Sequence, residues 1–236
     1  MSVSKELKTK VYNDWLRVFP ELVAYNKNQL LKIAGPILFG IEIDKSSWGD
    51  VYRLYFIIYS LWEKNILECT KGPLLFLEIH NKKNLQFKIP FNKHEQYFED
   101  AVNCVRNYIK IPFEGNISLK SIYQVINTYT TNNSSYDITC TYLLKIYILF
   151  YLECYKEMDK LLLEIKANKK KLESLHFKHF FGSFDEWFIN LEKSLSDRDK
   201  FIWTIEANKQ DKKIKNLLVS DILNLKSGFW CKDYHL

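Results

Sequence analysis

Glycine and proline are scarce in this chain of 236 residues, with seven and five copies. Long flexible linkers are usually rich in these residues, so their scarcity predicts a compact and ordered chain. The glycines are scattered singly, and the sequence contains no Walker A loop, no dinucleotide-binding loop and no nucleophile elbow. The motifs of the common nucleotide-binding and hydrolase families are therefore absent, and we expect neither an enzyme nor a bound cofactor.

Arginine is also scarce, because only four of the 34 basic residues are arginine. Nucleic-acid-binding proteins usually concentrate positive charge on one face and use arginine for bidentate contacts. Residues 1–139 and residues 140–236 each carry 17 basic and 14 acidic side chains, so the net charge of +6 is evenly spread. Nucleic acid is thus a disfavoured partner, and binding through lysine-rich helix faces stays open as an alternative.

Cysteine gives no sign of a disulfide framework, because the five copies are odd in number and none shows CxxC spacing. The N-terminal stretch MSVSKELKTK is polar and lacks an apolar signal core. Together these features predict a reduced, cytoplasmic environment. Nucleophilic chemistry at Cys69 or Cys140 would require an adjacent histidine, for which His80 and His94 are the candidates.

Long hydrophobic runs are missing. The two most apolar stretches span residues 51–62 and 141–155, and they are interrupted by Arg53 and Lys145 respectively. A membrane-spanning helix needs about 20 apolar residues, so both stretches are too short. We therefore predict no membrane partner and expect both stretches to be buried in protein.

The first of these stretches fits a strand. Residues 35–44 and 51–62 are rich in β-branched and aromatic residues and flank a polar loop that contains Gly49, which is typical of a hairpin. Residues 71–80 and 85–91 alternate apolar and polar side chains around the turn NKKN, which predicts a second hairpin. The expected product is an antiparallel sheet of about four strands at residues 36–91, with Pro90 at a strand end or an edge.

Most of the remaining chain shows helical spacing. Helices are predicted at residues 4–18, 20–33, 94–108, 118–129, 138–155, 157–174, 184–195, 199–208 and 214–225. The polar stretch TTNNSSYD at 130–137 is the one candidate linker. The predicted fold class is therefore α+β, with an α+β unit over 1–130 and a helical bundle or solenoid-like unit over 136–236. We expect the two units to pack as one compact body.

One group of side chains resembles a metal-ligand set. Glu173, His176 and His179 recur at a spacing of three residues, and two imidazoles with a carboxylate can bind a divalent cation. Histidines before Gly182 also fit an ordinary helix C-terminus, and this interpretation is preferred because catalytic zinc motifs are more specific. Acidic residues Glu42, Asp44 and Glu78 could form paired carboxylates, but an exposed strand face is the preferred interpretation, because its acidic residues alternate in the same way.

Aromatic residues are abundant, with 15 Tyr and six Trp in addition to 16 Phe. Tyr and Trp are enriched at interface hot spots, because they bury a large area at a low entropic cost. We expect some of them to be exposed near the predicted hairpin tip and near the C-terminal residues. The candidate protein-binding residues are Trp48, Asp50, Tyr52, Tyr55 and Trp230.

These observations favour a non-enzymatic protein-binding module. The richness in Lys, Asn and Ile suggests an AT-rich genome, and a small chain without motifs fits bacterial accessory roles. The preferred hypothesis is a bacterial immunity protein that neutralises a cognate toxin by occluding its active site. The alternatives are a phage or bacterial defence-related inhibitor, an adaptor, an enzyme of unrecognised type, and a lysine-rich nucleic-acid-binding protein.

Overall fold

The computed structural model of the chain describes residues 3–45, 50–130 and 134–224. Within these ranges, an N-terminal helix precedes a mainly antiparallel sheet, and a series of helices follows. This arrangement confirms the predicted α+β class. No helix in the described ranges is both long and apolar enough to cross a membrane.

Helix α1 (Lys5–Val18) confirms the prediction for residues 4–18. The side chain of Ser4 accepts a hydrogen bond from the backbone N–H of Leu7 at 3.2 Å and so caps the first turn. Val11 and Trp15 lie one turn apart and are buried on the side of the helix that faces the sheet. The helix ends before Pro20, whose ring cannot continue the hydrogen-bonding pattern.

The helix predicted for residues 20–33 is wrong. This segment forms strands β1 (Val23–Ala24) and β2 (Gln29–Ala34), which pair antiparallel around a tight turn. The Oδ1 atom of Asn26 accepts a hydrogen bond from the backbone N–H of Asn28 at 2.8 Å, which is the asparagine turn chemistry that competes with helix formation. Almost every residue of β2 is buried, as expected for a strand covered on both faces.

The predicted hairpin is confirmed by strands β3 (Ile37–Lys45) and β4 (Val51–Ser60), which pair antiparallel over their whole length. After the short helix α2 (Ile66–Cys69), strands β5 (Leu75–Glu78) and β6 (Lys88–Pro90) both pair with β4. The four strands predicted for residues 36–91 are thus present, but β5 and β6 do not form the predicted second hairpin ladder, because each pairs with β4 and their segments share one isolated bridge between His80 and Gln86. Pro90 ends its strand, as predicted.

Glycine is required at one position of this hairpin. A Cβ atom at Gly40 would lie 2.0 Å from the carbonyl oxygen of Leu30 on the adjacent strand. Any larger residue would therefore push β3 away from β2 and break the register in which Gly40 faces Leu31.

One face of the sheet is covered by α1 and by helix α3 (His94–Tyr108), which follows a 3-10 turn at Phe91–Lys93. The rings of Trp15 and Phe98 pack edge to face at 5.0 Å and so join the two helices. The bounds of α3 confirm the prediction for residues 94–108.

The later helices follow the predicted order, with one additional helix at Leu175–Phe181 that lies outside the predicted ranges. They are α4 (Leu119–Thr130), α5 (Ser135–Tyr151), α6 (Tyr155–Ala167), α7 (Lys169–Leu172), α8 (Leu175–Phe181), α9 (Phe184–Ser194) and α10 (Arg198–Lys209). Ser134 and Asp137 form a capping box at the start of α5, and most of that helix is buried, as its nearly uniform apolar sequence predicts. The predicted helix 157–174 divides into α6 and α7.

The helix predicted for residues 214–225 is wrong. Strand β8 (Val219–Ser220) pairs parallel with β2, and β9 (Ile222–Leu223) pairs parallel with β7 (Ile117–Ser118). Exposure alternates residue by residue from 219 to 223, which is the period of a strand rather than a helix. One hydrophobic cluster joins side chains from the sheet and from the C-terminal helices.

Candidate protein-binding surfaces

The second face of the sheet is only partly covered. Near the β2–β3 turn its side chains, such as Leu38 and Ile57, are buried. Towards the start of β4, Arg53 is half-buried, and Glu78 and Lys88 are exposed. Tyr55 lies on β4 between the buried and the exposed parts of this face. The strand register places Glu42 and Glu78 directly beside it on the two neighbouring strands.

Tyr55 is held in place by Phe76 and Gln86. Its ring stacks on Phe76 at a centroid distance of 4.1 Å, and its hydroxyl accepts a hydrogen bond from Nε2 of Gln86 at 2.8 Å. The same amide donates to Glu78 Oε1 at 3.0 Å. Burial raises the pKa of Tyr55, and the nearby Arg53 opposes this shift. Tyr55 is itself buried, and Phe76 is 37% exposed, so the accessible part of this aromatic pair is the ring of Phe76.

The acidic residues of this face do not form paired carboxylates. Asp44 accepts hydrogen bonds from the guanidinium of Arg53, and Glu42 accepts one from Nε2 of Gln29 at 2.7 Å. Glu78 bonds to Gln86, as described above. Each carboxylate thus has its own hydrogen-bond donor, as in a stable exposed strand face.

Tyr52 must be removed from the candidate binding residues, because it lies on the opposite face of β4 and is completely buried. Side chains alternate along a strand, so Tyr52 and Tyr55 point to opposite sides of the sheet. The hydroxyl of Tyr52 lies 2.8 Å from Nδ1 of His94, and Nε1 of Trp15 donates to it at 3.4 Å. Tyr52 therefore joins β4 to α1 and α3.

The network continues from His94 to Asp14, whose Oδ2 atom lies 3.1 Å from Nε2 of the imidazole. A neutral His94 with its proton on Nε2 satisfies the whole chain, because it donates to Asp14 and accepts from Tyr52. Burial lowers the pKa of His94, although Asp14 opposes this shift. Burial also raises the pKa of Tyr52. The arrangement is a buried structural tie whose tyrosine is inaccessible to a substrate.

Of the other predicted binding residues, only Asp50 lies within the described part of the chain. Asp50 is exposed directly before β4, and its carbonyl accepts a hydrogen bond from the backbone N–H of Phe91 at 2.8 Å. Trp48 and Trp230 lie outside the described residues. Their proposed contribution to binding stays a prediction.

The predicted metal-ligand set is not assembled. Glu173 follows α7 and lies 3.9 Å from Nζ of Lys178, whereas His176 and His179 are exposed on the separate helix α8. Within residues 3–45, 50–130 and 134–224, no group of three His, Cys, Asp or Glu side chains is placed to hold a metal ion. The continuous helix that the spacing assumed is interrupted at Glu173 and Ser174.

The two histidines instead border an exposed aromatic group. We call Tyr136, Leu175, His176, His179 and Phe180 the α8 cluster. The ring of Phe180 lies 4.5 Å from Tyr136, 5.0 Å from His176 and 4.9 Å from His179. Phe180 is nevertheless 53% exposed, and Leu175 is 89% exposed.

A signal for this cluster is present in the sequence LHFKHFF. A helix of seven residues can bury one side, and here Phe177 and Phe181 pack inward. The apolar residues Leu175 and Phe180 must then lie outside that stripe. Apolar residues on several sides of a short helix thus indicate either complete burial or an exposed apolar surface.

The cysteines offer no exposed nucleophile in the described residues. Cys69 and Cys140 are buried, and burial raises their pKa values to about 11 and about 12. The side-chain neighbour of the Cys69 sulfur is Nδ2 of Asn208, at 3.4 Å. Neither His80 nor His94 is a hydrogen-bond partner of these thiols; His94 bonds to Asp14 and Tyr52, and His80 bonds to Asn84.

Comparisons with known proteins add no relative. No family model matches the chain, and no curated protein or solved structure matches it either.

Proposed function

We propose that the chain is a non-enzymatic protein-binding module and that the α8 cluster is its binding surface. The observation that carries this proposal is the exposure of Phe180 beside the rings of Tyr136, His176 and His179, with Leu175 exposed on the same helix. Aromatic side chains on a helix lose little conformational entropy on binding, and a large apolar anchor is the usual centre of an interface hot spot.

The surroundings of the cluster favour an acidic partner surface with an apolar anchor. Lys170 and Lys171 are exposed on α7, immediately before α8, and neither takes part in an ion pair among the described residues. Lys178 is exposed on α8 itself. Positive charge around an apolar centre attracts carboxylates at the rim of a partner and accelerates association.

Among protein-binding modules, a bacterial immunity protein is the best candidate, and a defence-related inhibitor or an adaptor is the alternative. The mechanism would be occlusion, in which the α8 cluster covers the active site of a toxin. The support is the small α+β architecture together with a preformed aromatic surface. An acidic partner agrees with the net charge of +6.

The test is affinity capture from the native cells with the tagged chain, followed by binding measurements on the purified partner. Leu175→Ser with Phe180→Ser removes the exposed apolar side chains of the cluster. Ile189→Ser with Trp203→Ser is a matched control, because these residues are 62% and 71% exposed on α9 and α10. We expect the first variant to lose the captured protein and the control to retain it, since hot-spot truncation costs about 2 kcal/mol or more.

Charge reversal then tests the rim. Lys170→Glu with Lys171→Glu should slow association, whereas Lys212→Glu with Lys213→Glu changes the total charge equally at another exposed site. Equal capture by both serine variants would rule out the α8 cluster as the binding surface. Protection of cells from the captured protein would identify it as a toxin, and its absence would favour the adaptor.

A further inference from the structure

Three lysines from separate elements converge at the turn between β1 and β2. The hydroxyl of Tyr12 on α1 donates to the carbonyl of Asn26 at 2.8 Å, so this face of the helix lies against the turn. Lys8 precedes Tyr12 by four residues and therefore lies on the same face, one turn nearer the N-terminus. Lys27 is part of the turn itself.

The third lysine arrives from the end of β3. The Nζ atom of Lys45 donates to Oδ1 of Asn28 at 3.0 Å, and the backbone N–H of Ile43 donates to the carbonyl of Asn28 at 2.7 Å. These bonds bring Lys45 beside Lys27. Asn28 also holds the turn through its N–H bond to Asn26. The position of the lysine group is thus set by hydrogen bonds between three elements.

The positive charge of this group is not compensated within the described part of the chain. Lys10, Lys32 and Lys82 each pair with a carboxylate. None of the ion pairs found there includes Lys8, Lys27 or Lys45. Partial burial lowers the pKa of Lys45, and repulsion from Lys8 and Lys27 lowers it further.

We propose that Lys8, Lys27 and Lys45 form a binding site for a phosphate group. Three ammonium groups around one turn suit a multiply charged anion with several acceptor oxygens, and lysine binds phosphate as a point charge. Phosphate would relieve the repulsion between the lysines. The group could belong to a small phosphorylated molecule or to a nucleic-acid backbone, which share this chemistry.

The experiment is an NMR titration of the full chain with inorganic phosphate, using sodium chloride at equal ionic strength as reference. We expect saturable shifts at the backbone amides of residues 26–28. Lys8→Gln with Lys27→Gln should weaken phosphate binding about tenfold or more, because two of the three positive charges that would contact the phosphate are removed. The control variant, Lys212→Gln with Lys213→Gln, has the same net charge as the Lys8/Lys27 variant. It should change the affinity for phosphate less than about twofold, because distant exposed charges are screened.

Equal shifts with chloride, no saturation, or equal weakening in both variants would overturn the proposal. A labelled single-stranded DNA of about 20 nucleotides separates the two sources by fluorescence anisotropy. Binding about 100-fold tighter than phosphate, lost in the Lys8/Lys27 variant, would assign the site to a nucleic-acid backbone. Phosphate binding without this gain would assign it to a small phosphorylated molecule.

Discussion

Two groups of similar side chains have opposite environments in this molecule. Tyr52 and His94, with Trp15 and Asp14, form the buried network between α1, β4 and α3. The α8 cluster also combines tyrosine, histidine and phenylalanine, yet it lies at the surface. Residue type therefore does not decide which group is core and which is surface.

The difference lies in the elements that surround each group. In the buried network, three elements cover the rings and each polar atom has a hydrogen-bond partner. In the α8 cluster, His176 and His179 make ring contacts only, and neither imidazole has a hydrogen bond to the described residues. The first group ties elements together, whereas the second leaves its apolar surface available.

The largest contrast should appear in stability after loss of an aromatic ring. Trp15→Ala removes a completely buried side chain and should lower the free energy of unfolding by about 3–5 kcal/mol. Phe180→Ala should cost less than about 1 kcal/mol, because half of its surface is already in water. Urea unfolding curves of both variants test this, and similar losses would show that the α8 cluster is part of the core.

A smaller contrast should separate the histidines. His94→Ala leaves the hydroxyl of Tyr52 and the carboxylate of Asp14 without their shared partner, which should cost about 1–3 kcal/mol. His176→Ala should stay within about 0.5 kcal/mol of the wild type. Denaturant midpoints at pH 7 measure both changes in stability. If His94→Ala leaves the free energy of unfolding unchanged, water has replaced the imidazole as the partner of Tyr52 and Asp14.

The smallest effect should be the dependence of stability on pH. Because burial lowers the pKa of His94, the unfolded chain binds more protons below about pH 6.5, and acid favours unfolding. This contribution is complete above that pH and is lost as the pH falls through the folded pKa. His94→Gln should therefore flatten the decline in melting temperature between pH 7 and pH 5, and His176→Gln should leave it unchanged.

One other group opposes this trend. Burial raises the pKa of Glu63, so that carboxyl takes up its proton earlier in the folded chain and stabilises it as the pH falls. The contribution of Glu63 cancels when the two histidine variants are compared, because both variants retain this residue. Equal slopes in both would contradict the assignment to His94.

Local sequence patterns predict those helices and strands that can be recognised from the spacing of apolar residues within the segment itself. The stripe of apolar residues in α3 and the alternation in β5 and β6 were sufficient, and the structure confirms them. Strand alternation also places Tyr52 and Tyr55 on opposite faces, a consequence that the grouping of tyrosines along one strand overlooked.

Elements that depend on distant partners were not predictable in this way. Residues 29–34 and 219–223 contain apolar side chains that also suit a helix, and their strand form requires pairing with β3, β2 and β7. The metal-ligand hypothesis failed for a related reason, because a break at Glu173 separates it from the helix of His176 and His179. Exposure of the α8 cluster depends likewise on which helices pack around it.

The parallel pairing of β8 with β2 has a consequence for synthesis of the chain. The two strands are separated by about 185 residues, and the helices α2 to α10 lie between them. At about 5–20 residues per second, the ribosome delivers β8 roughly 10–40 s after β2. During that interval part of the β2 edge lacks its neighbour and can pair with other chains. Crowded polysomes and fast overexpression should therefore favour aggregation of the nascent protein.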